Sequence, residues 1–320
     1  MKKKTLVTGI TGYVGGALAP ALAHAGHDVR GFTRDAARVR APVADVVEGD
    51  AQTGAGLDAA LDGVEVAYYL IHSMEASAQA KPAATSEASR PSGFDAAERR
   101  AAEHFAEAAA RAGVRRIVYL GGPVPAEGAA VSRHLGSRLA VEATLLDAVP
   151  SSIAFRASLV IAAGSRSFLF LVRLIERLPV LALPAWARNR SMPVDGRDVM
   201  AYLVRAATAP DALAGRAWDA IGPELMTYEH MMERIADSMM VGRPRVNLGF
   251  SLTPVAAPVA AAVAGEDVGL IEPLMESLES DLLPRDELAA SAFDVHLHSF
   301  DAAVERSLRE LERNEEVRAR

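Results

Sequence analysis

Three features of the sequence predict an α/β fold, with a doubly wound parallel sheet and a smaller C-terminal lobe. Strand and helix signals alternate through the first half of the chain. A glycine-rich turn joins the first strand to the first helix, and the rhythm changes after Ala162. Alternation of this kind builds βαβ units, which lay helices over both faces of a parallel sheet. With 320 residues the chain can form one large domain or two smaller ones. The expected division is 1–162 and 163–320, with part of the second segment, about 192–222, returning to the sheet of the first.

The first element is the strand Thr5–Thr8. It lies within MKKKTLVTGITGYVGG, whose lysines and following Ala23-His24-Ala25 have the outline of a secretory signal peptide. Such a peptide needs an unbroken apolar segment. Gly9, Gly12, Gly15 and Gly16 interrupt it, whereas glycines three apart suit a tight turn, and Val14, Leu18, Leu22 and Ala25 then mark one helix face. Strands two and three are Asp28–Arg34 and Val43–Asp50. Val64–Ser73 is a fourth, rich in Val, Ile and Tyr. Residues 74–93 are rich in Ala, Ser, Lys and Pro and read as a surface insertion, either filler or a lid. An alanine-rich amphipathic helix over 94–112, a strand over 115–122, a helix over 134–149 and a strand over 151–162 complete the first half.

Beyond Ala162, helices are expected over 168–178, ended by Pro179, and over 197–208. Residues 217–221 form a returning strand. Thr227 caps a methionine-rich helix over 227–240, whose methionines are core or the lining of a plastic apolar pocket, and Ser299 precedes a terminal helix over 301–315. The longest apolar stretch, 252–265, is alanine-rich, holds two prolines and is too short to span a bilayer, so it reads as a packed helix.

Composition narrows the function. Hydrophobic residues make up 50% and charged residues 23%, the mix of a soluble globular protein. A net charge of −7 argues against a general nucleic-acid or anionic-membrane surface. The absence of cysteine excludes disulfides and thiolate chemistry, and suits a cytoplasmic location. His24-x-x-His27 and His296-x-His298 have no acid at ligand spacing, so no metal site is expected. A small-molecule ligand remains; the oligomeric state is not written in the sequence.

The turn says which ligand. Gly9-Ile10-Thr11-Gly12-Tyr13-Val14-Gly15 follows a strand and opens a helix inside a βαβ run, the context of a Rossmann-type dinucleotide site. Glycine lets the backbone turn sharply and approach a pyrophosphate, which then sits on the helix N-terminus. Gly9, Thr11, Gly12, Tyr13, Val14 and Gly15 are therefore the expected cofactor contacts, and 1–162 the expected NAD(P)-binding domain. An acid at the end of strand two would accept from the NAD ribose. This chain has Thr33-Arg34 there, with Arg38 a turn further. A guanidinium pairs with a 2′-phosphate, so NADP(H) is the preferred cofactor; the adjacent Asp35 keeps NAD(H) possible. Asp50, at the end of strand three, is placed for the adenine or serves as a loop acid.

Read further, the sequence resembles a known group. The TGITGYVG turn is similar to the TGxxGxxG of extended and atypical short-chain dehydrogenases/reductases. AYYLIHSM at 67–74, RRIVYLGG at 115–122, SRHLGSRLAVE at 132–142 and MPVDGRDVMAYLV at 192–204 resemble its NmrA-like branch of NAD(P)H-binding proteins. The likeness runs along nearly the whole chain apart from 75–93. It implies a Tyr-x-x-x-Lys pair on the helix after strand five and a serine after that strand. Here the aligned positions hold His134 and Arg138, and the strand ends in Gly121-Gly122.

Two readings stay open. In one, the chain is a reductase of a small apolar acceptor such as a quinone, enone, imine or carbonyl. Arg138 then holds a ribose or phosphate, and His134, with an ordinary pKa near 6.5, donates a proton or orients the acceptor. His72 and Ser73, ending strand four, are the second candidates. In the other, catalysis is lost and the protein is an NADPH-binding redox sensor or assembly factor. His134 and His72 each have a plain packing role as the alternative. Arg156 neutralises a phosphate or an acid, and Asp195 and Asp198 read as helix caps.

Overall fold

The computed structural model describes residues 3–71, 91–125, 132–250, 253–266 and 268–314. His72, Ser73 and the insertion expected from residue 74 lie outside these as far as residue 90.

Strand β1 (Lys4–Thr8) runs through the glycine turn into α1 (Tyr13–His24), followed by β2 (Asp28–Thr33), β3 (Asp45–Glu48), the short α2 (Leu57–Leu61) and β4 (Val66–Tyr69). Next come α3 (Pro91–Arg111), β5 (Arg116–Gly121), α4 (Arg133–Ala148) and β6 (Ile153–Ala157). The second half holds β7 (Val160–Ile161), α5 (Arg166–Arg177), β8 (Leu181–Leu183), β9 (Arg190–Ser191), β10 (Val194–Asp195), α6 (Gly196–Ala206) and β11 (Arg216–Ala220). The chain continues through β12 (Met226–Thr227), α7 (Tyr228–Ser238), β13 (Arg245–Asn247), α8 (Thr253–Ala264), α9 (Val268–Ser277), α10 (Ala289–Ala292) and α11 (Phe300–Asn314).

Seven strands form one sheet in the order β11-β6-β5-β4-β1-β2-β3, and every pairing in it is parallel. The order reverses between β1 and β4, which opens a crevice at the strands' carboxyl ends. Alternate residues face opposite layers. Val66 and Tyr68 join the core under α1 and α6, while Ala67 and Tyr69 join the core under α3 and α4. The first of these cores takes Leu18 and Leu22 from α1 together with Tyr202, Leu203, Trp218 and Phe293 from the second half of the chain. At the opposite edge Arg116 is fully buried. It donates to Ser151 O (2.8 Å), Ala206 O (2.8 Å) and Ala209 O (2.8 Å) and pairs with Asp211, fastening β5 to the end of α6.

Two expectations change. The strand read over 151–162 is broken. After Ala157, the Ser158 hydroxyl donates to Met192 O, and Val160–Ile161 leaves the sheet to pair with β10. The methionine-rich segment is divided: Met226, Met231 and Met232 are core, but Met240 is 92% exposed at a positive φ just past α7. The C-terminal lobe has its own core, built on Phe168, Leu171, Ile175, Trp186, Ile271 and Val304. In α8 the buried Ala257, Ala261 and Ala264 lie one helical turn apart, as the packed-helix reading requires. Among the described residues, no helix is long and apolar enough to cross a membrane.

Candidate dinucleotide and substrate site

At the switch point Thr8 ties two strands together. Its hydroxyl donates to Tyr68 O (2.9 Å) and accepts from Leu70 N (3.0 Å), so the end of β1 is held against the end of β4. Gly9 follows at φ +63°, and a Cβ there would stand 2.4 Å from Leu70 O. Gly12 N donates to Gly9 O (2.9 Å) and closes the turn. Gly12 then caps α1 with no side-chain hydrogen bond, and the first turn of α1 holds no acid. The outward N–H groups and the positive end of the helix dipole are left for an anion. Gly15 lets the helix lie on the turn, since a Cβ would fall 2.4 Å from Gly9 O.

Gly9, Gly12, Tyr13, Val14 and Gly15 line a cavity of about 270 Å³; Thr11 is exposed and does not. Tyr13 has a second role. Its ring fills the space left by Gly164, where a Cβ would lie 2.0 Å from Cδ2, and its hydroxyl reaches toward Gly196. Burial, then the Glu310 carboxylate, push that hydroxyl's pKa up. Arg306 of α11 donates to Asp195 (3.1 Å), the residue that caps α6, so the glycine turn abuts the C-terminal helix.

Arg34 and Asp50 follow β2 and β3, at the same carboxyl edge of the sheet but outside the cavity lining. Arg34 is exposed and makes no hydrogen bond or ion pair among the described residues. Asp35 accepts from Ala37 N (3.0 Å) as the cap of a single 3₁₀ turn. Asp50 accepts from Gln52 N (2.9 Å), so one carboxylate oxygen braces its own turn.

On the other side of the crevice, Ser132 caps α4 by accepting from Leu135 N (3.3 Å) and sets His134 and Arg138 one turn apart, both lining the cavity. Arg138 is 7% exposed; its Nη2 donates to Leu120 O at the end of β5, and its guanidinium lies 5.7 Å from the Tyr119 ring centre. Gly122 lies beside it: a Cβ there would meet Arg138 Nε at 3.6 Å, an ordinary contact. Behind α4, Ser137 donates to the buried Glu98, whose pKa is raised by burial against the opposing pull of Arg138.

His134 does not keep an ordinary histidine pKa. Burial, then the neighbouring Arg138 charge, push it down to about 3. The ring is neutral at pH 7, so it orients or accepts a hydrogen bond; a standing imidazolium donor is not the species present. Arg156 is committed to acids: it forks onto Glu142 (Nη2–Oε1 2.6 Å, Nε–Oε2 3.0 Å) and also pairs with Asp286. That leaves the phosphate alternative without a free guanidinium. Asp195 is a cap, accepting from Arg197 N (2.7 Å), but Asp198 is not. Asp198 is buried and accepts from His298 N (2.9 Å) and pairs with His298 Nδ1 (2.6 Å). His298 thus has an acid from 100 residues away, which spacing does not reveal. No group of three or more candidate metal ligands occurs among the described residues.

Other lining residues carry no mark in the sequence. Ser165 caps α5, accepting from Phe168 N (3.5 Å), and Ser165, Arg166 and Ser167 line the cavity. Tyr228, Leu274, Ser277, Leu278 and Leu282 close it from the C-terminal lobe. No local signal marks these residues, because their shared cavity is made only by the folding of distant segments.

Solved structures share this architecture. WbmH of Bordetella bronchiseptica, determined with NAD+, is 15% identical with a TM-score of 0.65, covering 98% of this chain and 99% of that one. The UDP-glucose 4-epimerase of Thermotoga maritima, determined with UDP-glucose, is 11% identical with a TM-score of 0.72 (97% and 99%). DesIV of Streptomyces venezuelae, a dTDP-glucose 4,6-dehydratase with NAD bound, is 17% identical with a TM-score of 0.65 (97% and 97%). At these identities the likeness is one of fold: the Rossmann-like parallel sheet with flanking helices. No curated protein sequence matches. Residues 1–164, just over half of the chain, match the NmrA-like family, and the chain belongs to it.

Proposed function

We propose that this protein binds a nicotinamide dinucleotide, NADP(H) in preference to NAD(H), and reduces a small, largely apolar acceptor (a quinone, enone, imine or carbonyl). One observation carries the reading: a helix N-terminus with no side-chain cap, behind a turn packed too tightly for a Cβ at Gly9 or Gly15, opens into the same cavity as Arg138 and the leucines of the C-terminal lobe. The diphosphate belongs on Gly9–Gly15. Arg34 is free to meet a 2′-phosphate, which an acid at that place would repel. When bound, the reduced dinucleotide supplies hydride. Arg138 fixes the ribose end and lends positive charge where negative charge develops on the acceptor. Neutral His134 orients the acceptor, and the closing proton comes from water.

The state of the described lining also favours a second reading. His134 is neutral, and burial raises the hydroxyl pKa of both Tyr13 and Tyr228. None of these groups both holds and releases a proton near pH 7, which suits an NADPH-binding sensor or assembly factor without turnover. Two measurements separate the readings. Direct titration with NADPH and NADH tests the cofactor, and NADPH oxidation with a panel of quinones, enones and imines tests the reaction. Tight NADPH binding with no turnover on the panel selects the sensor; no binding of either dinucleotide removes both.

A further inference from the structure

The described lining of the cavity contains two guanidinium groups, Arg138 and Arg166, and no carboxylate. Arg138 is spoken for. It is fastened to the end of β5 and stands where the dinucleotide reading needs a cation. Arg166 lines the same cavity from the first turn of α5, which holds no acid. A cation at that end of a helix works against the helix dipole, so helix formation does not account for it. One neighbour partly balances it: Nη1 reaches Glu266 at 3.4 Å, with both side chains partly exposed. That single long contact leaves most of the guanidinium donors uncommitted. The group is 29% exposed, so it acts in a lower dielectric than a surface arginine. Leu274, Leu278 and Leu282 give the same cavity apolar lining.

The geometry points to an acceptor with an apolar body and an anionic group, a carboxylate or a phosphate, read by Arg166. This rests on the dinucleotide reading and makes the acceptor's class more specific. The planar guanidinium takes either anion through paired N–H groups, while the leucines take the hydrocarbon. Arg166 is a specificity-determining residue in this account and holds no reacting atom.

The test titrates the full chain, with and without NADPH, with three probes that share a phenyl ring: benzoate, phenyl phosphate and benzamide, the neutral isostere of benzoate. The expected result is that one or both anions bind the NADPH-loaded protein about tenfold or more tightly than benzamide. Arg166→Ala should erase that preference, Arg166→Lys should retain part of it, and both variants should bind NADPH within about twofold of the parent. Benzoate against phenyl phosphate tells carboxylate from phosphate. Equal binding of all three probes, or binding of none, overturns the inference. So does an Arg166→Ala variant that loses NADPH affinity, because the residue then serves the cofactor's diphosphate. Failure of the parent to bind NADPH is a separate result and removes the dinucleotide reading itself.

Discussion

Gly15 and Gly16 are neighbours in α1, and alanine should act on them with opposite sign. Both are inside the helix, where replacing glycine by alanine stabilises by about 1 kcal/mol through lost freedom of the unfolded chain. At Gly16 the added Cβ would meet Ile10 O at 3.4 Å, an ordinary contact, so most of that gain survives. At Gly15 it would stand 2.4 Å from Gly9 O, about 1 Å too close. The obstacle is backbone and cannot swing aside. It belongs to a turn held by Gly12 N and by the Thr8 bridge. Overpacking of this kind costs roughly 1–3 kcal/mol, and a fixed carbonyl puts the cost at the upper end. Gly15→Ala should therefore lose about 2 kcal/mol net, while Gly16→Ala gains roughly 0.5–1 kcal/mol. Urea midpoints for both variants measure this, and an NADPH titration of each reads the shape of the turn. Gly16→Ala should bind like the parent and Gly15→Ala at least about tenfold more weakly. If Gly15→Ala matches Gly16→Ala within about 0.5 kcal/mol and binds NADPH normally, the cradle does not have the shape described.

Three more outcomes are expected. Arg34→Glu should weaken NADPH by about tenfold or more while changing NADH little, as paired titrations would show; equal losses refute the 2′-phosphate role. His134 titrates near 3 when folded and near 6.5 when unfolded. Below about pH 6.5 the unfolded chain takes a proton that the folded chain refuses. Its stabilising contribution is complete above that pH and is lost as the pH falls toward 3. Urea midpoints at pH 7.5, 6 and 5 should thus fall less steeply in His134→Gln than in the parent. A fragment ending at residue 162 should show no cooperative unfolding in urea, because the core beneath α1 takes Tyr202, Leu203, Trp218 and Phe293 from beyond the cut. A sharp transition for that fragment would show that the second half only decorates a self-sufficient sheet.

The parts legible in the sequence are those whose physics is local. Thr8–Gly15 declares a strand, a turn and a helix within a few residues, because glycine spacing and backbone sterics act at short range. The β-branched runs and helical periodicities placed the sheet strands, including the returning Arg216–Ala220, to within a few residues. Departures occur wherever a partner lies far along the chain. The break after Ala157 depends on Met192 O, and the role of Asp198 on His298. The neutral state of His134 depends on burial, which residue type does not reveal. Arg166 looks like one more surface charge until the fold turns it toward the crevice.

Tyr13 shows what such long reach entails. The aromatic group next to the phosphate-facing glycines rests in a seat created by two missing side chains, at Gly164 and Gly196. A bulkier residue at either seat would evict the ring and spoil the amino-terminal loop without touching it. Conversely, a guest that nudges the loop must also press on the start of α6 and, through Asp195 and Arg306, on the last helix. The first helix and α11 are thus joined through one short chain of contacts, Tyr13 to Gly196 and Asp195 to Arg306.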